Sequence, residues 1–250
     1  MTQRRRRPPQ SGKPGGRYSN IFLLICILAV AVIYAAVFYL ENANGKPKGS
    51  ASEVTLADIP EYSGEPYVVL NDNWPYFDIE DLTTDPFEYY SELDSLGRCG
   101  VAYANVCLEI MPTEERGSIG QVKPSGWQTV KYDFVDGKYL YNRCHLIGYQ
   151  LAGENANRQN LITGTRYLNV TGMLPFENMV DDYVEETENH VLYRVTPIFK
   201  GTELVARGVQ MEGFSVEDEG EGICFNVFVY NVQPGVIIDY ATGESRAAEQ

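Results

Sequence analysis

The chain has 250 residues, of which 44% are hydrophobic and 22% charged, and these ordinary globular values exclude disorder throughout. The formal net charge is −14, and residues 1–19 hold six bases and no acid, so the rest of the chain carries −20. This excess of negative charge excludes non-specific electrostatic binding of nucleic acid or of an anionic membrane by the body of the protein. Two histidines exclude a site built from three, and five cysteines are too few for a disulfide scaffold.

The N-terminal part of the sequence predicts a membrane anchor. Residues 21–40 are twenty consecutive uncharged residues, and a helix of that length spans about 30 Å, the hydrocarbon thickness of a bilayer. The run is longer than a signal-peptide core of ~7–15 residues and lacks a clear cleavage site after it. A transmembrane helix is therefore favoured over a cleaved signal peptide, which is the alternative.

The basic residues Arg4–Arg7 lie just before this span. The positive-inside rule then places residues 1–20 in the cytoplasm as a basic tail and the C-terminal part outside the cell. Residues 41–61 are rich in Gly, Pro, Ser and Asn and are predicted to be a flexible linker. Residues 62–245 remain as the extracellular domain, which is long enough for one sizeable core.

Apolar and aromatic runs predict the first elements of this domain. We expect a strand at Pro66–Leu70, a helix at Phe87–Leu96 and a strand at Val101–Ile110. Asp136-Gly137 separates the aromatic-rich runs 132–135 and 138–141. Because Asp-Gly supplies the positive φ values of a type I′ turn, these runs are predicted to form a β-hairpin.

The second half of the domain is predicted to be one helix followed by strands. Apolar residues at helical spacing predict a helix over Glu177–Glu188, with Pro175 near its start. Three β-rich runs and a final strand come next, at Val191–Phe199, Glu203–Phe214, Ile223–Val232 and Val236–Tyr240. The fold class is α+β, with a mostly antiparallel sheet and helices inserted in the middle.

The best candidate for chemistry lies where the second hairpin strand ends. It leads into Arg143 and His145, and a histidine beside an arginine at a strand end is a candidate general base with a phosphate ligand. An amide-rich loop at 153–161 and two further segments, 164–169 and 172–177, follow it. His190, at a predicted helix-to-strand junction, is expected to be structural.

Charge segregation supports this location. Residues 116–169 carry seven bases and three acids, whereas residues 41–115 carry a net −13 and residues 170–250 a net −11. An anionic substrate is attracted to the basic stretch and repelled elsewhere. Arg166 and Lys123, both in that stretch, are therefore candidate substrate-binding residues.

These residues together resemble a known family. The segment Asn142-Arg143-Cys144-His145, the amide loop, and Asn169 followed by Glu177 are similar to the sugar-non-specific DNA/RNA endonucleases of the ββα-metal (His-Me finger) superfamily. The family signature is Asp-Arg-Gly-His, with a metal-binding asparagine on a following helix. The resemblance covers roughly residues 65–245 and is strongest to membrane-anchored or secreted nucleases of Gram-positive bacteria. It implies an inserted ββα-metal motif.

The resemblance also implies roles for individual residues. His145 corresponds to the general base that activates water, Asn169 to the ligand of a single Mg²⁺ ion, for which Mn²⁺ is a possible substitute, and Glu177 to the acid that orients metal-bound water. Three further residues complete the implied site: Arg143 contacts phosphate or supports the site, Asn160 orders it, and Arg116 stabilises the transition state, with Arg166 as the alternative. DNA and RNA are the implied substrates.

Two positions depart from the signature. Asn142 stands where the family has Asp, and Cys144 where it has Gly. Cysteine cannot serve where a positive φ is required, but the base and metal positions are retained, so activity is expected. The competing hypothesis is a nuclease-like module that binds nucleic acid or a partner without cleavage. A zinc hydrolase is disfavoured, because no His-Glu-x-x-His motif is present.

The cysteines of the outer domain leave alternatives open. Cys99–Cys107 is a possible local bridge, and Cys144–Cys224 is conceivable in an oxidising exterior. No pairing is assigned.

Overall fold

The structure is a computed structural model that describes residues 54–249. The predicted cytoplasmic tail, the predicted transmembrane helix at 21–40 and residues 41–53 of the predicted linker lie outside the described residues. Within 54–249, no helix combines the length and the apolar character that a membrane crossing requires.

The described residues contain ten strands and two α-helices. The strands are β1 (Tyr67–Val69), β2 (Phe87–Tyr90), β3 (Ala102–Val106), β4 (Tyr141–His145), β5 (Leu161–Thr165), β6 (Val191–Ile198), β7 (Gly208–Ser215), β8 (Cys224–Tyr230), β9 (Val236–Ile238) and β10 (Ser245–Ala247). The helices are α1 (Tyr149–Ala152) and α2 (Leu174–Thr187), and a π-helical segment (Tyr167–Met173) leads into α2. Single-turn 3₁₀ helices lie at Asn71–Asn73, Ile79–Asp81 and Arg158–Asn160.

Six strands form the central antiparallel sheet, in the order β1-β8-β7-β6-β3-β2. Helix α2 covers one face, where the Phe176 and Phe225 rings lie 4.9 Å apart. The other face contains the ion pair between Arg194 and Glu212, with Nε 2.7 Å from Oε2 and both side chains fully buried. Such a pair is stable only when further polar contacts satisfy it, and the Arg194 guanidinium also donates to the carbonyl of Tyr76 at 2.8 Å.

A ββα unit is inserted between two neighbouring strands of that sheet. Strands β3 and β6 are paired with each other, yet the chain between them contains β4, β5 and α2. Strands β4 and β5 form their own antiparallel pair, with His145 opposite Leu161, and α2 follows them. The mixed fold with a mostly antiparallel sheet is therefore confirmed, and the long β3-to-β6 insertion carries the segment that the sequence analysis marked for chemistry.

The predicted helix at 87–96 is wrong. Residues Phe87–Tyr90 form β2, which pairs with β3, and the Phe87 ring packs edge-on against Tyr103 at 5.0 Å. Aromatic residues favour a pleated, half-buried surface, and this cross-strand packing outweighs the helical spacing. The chain then turns, with the amide of Gly97 donating to the Asp94 carbonyl at 2.9 Å.

The predicted hairpin at 132–141 forms in part, because the amide of Tyr132 donates to the Lys138 carbonyl at 2.9 Å and that of Leu140 to the Val130 carbonyl at 3.0 Å, but the predicted turn type is wrong. The amide of Lys138 donates to the carbonyl of Val135 at 2.8 Å, so Asp136 and Gly137 are the central residues of the turn, as predicted. Positive φ values occur at Gly137 and Lys138 (φ 68° and 67°) and not at Asp136, whereas a type I′ turn requires them at both central residues. A single bridge joins Lys131 to Tyr139. The strand that begins at Tyr141 pairs with β5, which lies after the amide-rich loop.

The later predictions agree better with the structure. Helix α2 and strands β6, β7 and β8 lie within or close to the predicted segments. The final predicted strand is β9, which pairs with β10, a strand that the sequence did not predict. Residues 54–61, assigned to the linker, contact the sheet: Leu56 and Ile59 pack with Phe228 and Tyr230.

Candidate active site

His145 is the last residue of β4, and two hydrogen bonds fix its ring. Nε2 lies 2.8 Å from the carbonyl oxygen of Asn155, and Nδ1 lies 3.2 Å from Nη2 of Arg116. Since a carbonyl only accepts, Nε2 carries the proton, and since a guanidinium only donates, Nδ1 presents its lone pair. Burial and the charge of Arg116 lower the pKa of His145, so the imidazole is neutral near pH 7 with Nδ1 as its basic atom.

Asn160 orders the turn that follows His145. Its side chain is fully buried and bonds both polar groups of one residue: Oδ1 accepts from the amide of Ile147, and Nδ2 donates to the Ile147 carbonyl, each at 2.9 Å. The Asn160 side chain thereby provides hydrogen-bond partners for two buried backbone groups that follow β4. This placement agrees with the ordering role that the resemblance implied.

Glu177 lies in the first turn of α2 and is almost fully buried. Burial raises the pKa of its carboxyl to about 8, although the Arg116 guanidinium acts in the opposite direction. Gly148 provides the room, because a Cβ there would lie 3.0 Å from Cδ and Oε1 of Glu177. Within residues 54–249 we find no hydrogen-bond donor on this carboxyl, and the charge of Arg116 only partly offsets the effect of burial.

Asn169 lies in the π-helical segment and contacts the unusual cysteine of the signature. The Cys144 thiol donates to Oδ1 of Asn169 at 3.1 Å. Cys144 is a buried strand residue without a positive φ, so the conformational objection to it does not apply. Gly164 makes room for it, because a Cβ on that residue would lie 2.6 Å from the Cys144 Cβ.

Arg116 reaches the site from an exposed loop. The hydroxyl of Tyr149, the first residue of α1, donates to the carbonyl of Glu114 at 2.8 Å. Gly117 packs against the Asn155 side chain so closely that a Cβ would lie 2.6 Å from Nδ2. The loop is thus tied at two points beside Arg116, and the guanidinium lies near both His145 and Glu177.

The other predicted basic residues have different surroundings. Arg143 donates to the carbonyls of Val122 and Gly120 and stacks over the Trp127 ring at 4.1 Å, so it supports the 120–127 loop. Arg166 forms an ion pair with Asp136 at 2.8 Å. Lys123 is exposed and does not line the cleft described next.

One cleft of about 630 Å³ contains most of these groups. Its lining residues are Arg116, Ile119, Trp127, Thr129, Tyr139, Tyr141, Asn142, Arg143, His145, Gly148, Tyr149, Gln150, Arg166, Asn169, Leu174 and Glu177. Asn160 lies behind it. In residues 54–249, no group of three or more His, Cys, Asp and Glu side chains is arranged to hold a metal ion. The oxygen donors in this cleft that could take part in holding a metal include the Asn169 amide and the Glu177 carboxyl.

Three features of the site were not predicted from the sequence. They are the Asn155 carbonyl that fixes the His145 tautomer, the space at Gly148 and the aromatic wall of Trp127, Tyr139 and Tyr141. The first two involve backbone, which sequence patterns do not mark. For Tyr139 and Tyr141, the spacing of two residues that they share with Arg143 and His145 could have predicted that they lie on the same side of the chain.

The cysteines are free in the described structure. The Cys99 thiol donates to the Leu161 carbonyl at 3.2 Å, and the Cys144 thiol is engaged with Asn169. Neither bridge that the sequence left open is formed.

Solved nucleases share this architecture. NucA from Streptococcus agalactiae with a magnesium ion bound is 27% identical, with a TM-score of 0.65 over 72% of this chain and 86% of that chain. NucA with no metal bound is 27% identical, with a TM-score of 0.67 over 78% and 92% of the two chains. Sda1 nuclease with a bound zinc ion is 25% identical, with a TM-score of 0.61 over 74% and 97%.

The sequence also matches a family model over the part of the chain that contains the cleft. The model is that of the DNA/RNA non-specific endonucleases, and it matches residues 79–216, more than half of the chain. That range includes His145, Asn169 and Glu177, which the fold brings to one cleft. The chain therefore belongs to the DNA/RNA non-specific endonuclease family and is an endonuclease.

Proposed function

We propose that this endonuclease is membrane-anchored and extracellular, and that it uses Mg²⁺ to hydrolyse phosphodiester bonds of DNA and RNA. The observation that carries the proposal is the neutral His145, whose Nδ1 faces a cleft that also holds Arg116, Asn169 and Glu177. Contacts through phosphate give little preference for sugar or sequence.

The residues present fit a hard divalent cation. The Glu177 carboxyl is buried with a raised pKa, and a cation nearby would restore its charge. The amide oxygen of Asn169 lines the same cleft, and oxygen donors are those that Mg²⁺ prefers. Asn169 would hold the ion and Glu177 its bound water, and the bound metal neutralises charge that develops on the phosphate. Mn²⁺ is a plausible substitute, and NucA with magnesium bound supports the choice of Mg²⁺.

The side chains of the cleft supply the rest of the mechanism. Nδ1 of His145 takes the proton from the attacking water, and the Asn155 carbonyl holds the Nε2 proton so that this tautomer persists. Arg116 moves from Nδ1 to the phosphate when substrate enters, where its charge stabilises the transition state. Arg143 positions the 120–127 loop, and Arg166 and Lys123 lie further from the reacting atoms as secondary contacts for the substrate.

A plasmid-nicking assay tests the activity. The full-length chain is expected to nick supercoiled DNA with Mg²⁺ and to stop on chelation. His145→Ala should lower the rate by ~10²–10⁴-fold, the usual contribution of a general base, while the fold stays intact. His190→Ala is the matched control, because His190 is paired with Glu217 away from the cleft. An active His145→Ala variant would refute the assignment of the base.

A second variant tests the metal ligand. Asn169→Ala is expected to reduce the rate to a similar extent, because the amide oxygen is the ligand that the side chain supplies. High Mg²⁺ should partly restore it by mass action. A cleavage rate that does not depend on Mg²⁺ concentration in this variant would contradict the assignment of Asn169 as the metal ligand. A parent chain that binds DNA without cutting it would favour the binding-module hypothesis.

Protease accessibility tests the proposed location. Arg4–Arg7 precede the uncharged span, and no comparable basic cluster follows it, so residues 41–250 are expected outside the cell. Protease added to intact cells should remove the nuclease domain. Full protection of that domain while the envelope is intact would contradict this topology.

A further inference from the structure

Alternate residues of one extended segment form a wall of the cleft. Tyr139, Tyr141, Arg143 and His145 all line it, and Asn142 reaches it as well. Within β4, residues 141, 143 and 145 share one face, as the period of two in a strand requires. The intervening Leu140 and Cys144 are fully buried on the other side. Tyr139 and His145 are six residue steps apart, so at ~3.3 Å per step they lie at most about 20 Å from each other.

Tyr139 is the residue of this wall that faces solvent. It is 47% exposed and, among the cleft-lining residues of the described structure, it is the one exposed large hydrophobic side chain. The other aromatic residues of the wall have structural contacts: Trp127 lies under Arg143, and the Tyr141 hydroxyl donates to the Gly243 carbonyl at 3.0 Å. An exposed ring at the end of a catalytic cleft is not explained by packing.

A basic residue accompanies the ring. The ammonium of Lys131 lies 4.4 Å from the Tyr139 ring centroid, and the bridge between the two residues fixes their backbones side by side. A cation over an aromatic face restrains the ring. Because the ammonium lies over one face of the ring, a base would stack on the opposite face, and the ammonium adds a positive charge beside the ring that attracts phosphate.

We propose that Tyr139 is a base-stacking residue that, with Lys131, binds an unpaired nucleotide of single-stranded DNA or RNA on its way to His145. An unpaired base offers a free π-face to an aromatic side chain. In a duplex the neighbouring base pairs cover both faces, so the ring contributes much less. The site therefore raises the efficiency of cleavage of single strands relative to duplexes. The proposal rests on the nuclease function of the same cleft.

Cleavage kinetics of the full-length chain test the proposal. We would compare kcat/KM for one oligonucleotide as a single strand and as a duplex. Tyr139→Ala should lower the single-strand value by roughly 5- to 150-fold, the range for loss of one stacked base, and the duplex value much less. Tyr139→Phe retains the ring and should retain the ratio. An equal fall for both substrates, or no fall for the single strand, would overturn the proposal.

A matched control and a binding readout separate this role from a structural one. Phe134 lies before the turn that precedes Tyr139 and is 58% exposed, but it does not line the cleft, so Phe134→Ala should leave both values unchanged. For the binding readout, a single strand that contains 2-aminopurine is bound to the His145→Ala variant. Its fluorescence should be quenched when Tyr139 is present and should not be quenched when the Tyr139→Ala substitution is added.

The two measurements also distinguish the failure of the proposal from the failure of the function. If the parent cuts both substrates but the ratio and the quenching do not depend on Tyr139, the stacking site is refuted and the nuclease assignment stands. If the parent cuts neither substrate, the nuclease assignment fails, and quenching in the His145→Ala background still decides whether Tyr139 stacks on a base.

Discussion

At the scale of single residues, Arg116 has two uses in this site. Its guanidinium donates to Nδ1 of His145 and, in addition to burial, lowers the pKa of that ring. A neutral histidine with an occupied lone pair is ready to act as a base but is shielded from water. Phosphate competes for the same guanidinium, because charge-assisted bonds to phosphate are stronger than a bond to a neutral ring nitrogen. In the mechanism that we propose, substrate binding therefore frees Nδ1 to act as the base.

Gly148 offers a sharp test of how closely Glu177 must be held. A Cβ at this position lies 3.0 Å from the end of the Glu177 side chain, which can yield, so Gly148→Ala should hardly alter the melting temperature. The carboxyl must shift, however, and a displacement of ~1 Å in an active site costs up to ~10²-fold. We expect the nicking rate to fall by roughly tenfold or more, with a higher Mg²⁺ concentration for half-maximal rate.

The control for this variant is Gly120→Ala. There the added Cβ finds nothing closer than Ser118 Oγ at 3.8 Å, an ordinary contact. A Gly148→Ala enzyme as fast as the parent would show that the position of the carboxyl is not critical.

At the scale of elements, the sequence predicted those whose pattern is local. Helix α2 has apolar residues at helical spacing and a proline near its start, and β6, β7 and β8 are long β-rich runs. Phe87–Tyr90 and, in part, residues 132–141 were misjudged because β2 depends on packing against Tyr103 and β4 depends on a partner beyond the amide loop. Similarly, His145 was identified by its neighbours in sequence, whereas the Asn155 carbonyl and Gly148 are recognisable only in three dimensions.

The connection between β7 and β8 makes an element-scale prediction about pH. Asp218 accepts hydrogen bonds from Tyr183 Oη at 2.9 Å, from the amides of Gly222 at 3.0 Å and Gly220 at 3.2 Å, and from the Ser215 hydroxyl. Burial alone would raise the pKa of Asp218, but these donors lower it. A lowered pKa in the folded state adds stability above the unfolded value, and this is lost as pH falls through the folded pKa.

Asp218→Asn should therefore lower the free energy of unfolding of residues 47–250, a separate compact unit, by about 1–3 kcal/mol at neutral pH. The difference from the parent should shrink at an acid pH below the lowered pKa of Asp218, where the parent carboxylate is protonated. Urea unfolding at the two pH values measures it. Glu221→Gln, an exposed acid of the same connection, should change little at either pH. A difference that persists at low pH would show that the contribution of Asp218 does not depend on its charge.

At the scale of the whole molecule, the net charge of the protein has the same sign as the charge of a nucleic-acid substrate. Outside the first 19 residues the chain carries −20, yet residues 116–169 carry +4. The structure reduces the charge available to substrate further, because Arg166 is paired with Asp136 and Arg143 donates to loop carbonyls. Nucleic acid must therefore be held by few phosphate contacts, gathered around Arg116 and the rim of the cleft.

The salt dependence of binding measures how few these contacts are. Each neutralised phosphate contributes about −0.9 to the slope of log K against log salt on duplex DNA, so a small patch predicts a slope of roughly −2 to −4. The His145→Ala variant, titrated with duplex at several salt concentrations, gives this slope without cleavage. Asp136→Asn releases the Arg166 guanidinium, which should make the slope more negative by about 0.9 if it reaches a phosphate. A parent slope near −8 would require about nine contacts, more bases than the whole 116–169 stretch provides, and would place the binding surface elsewhere.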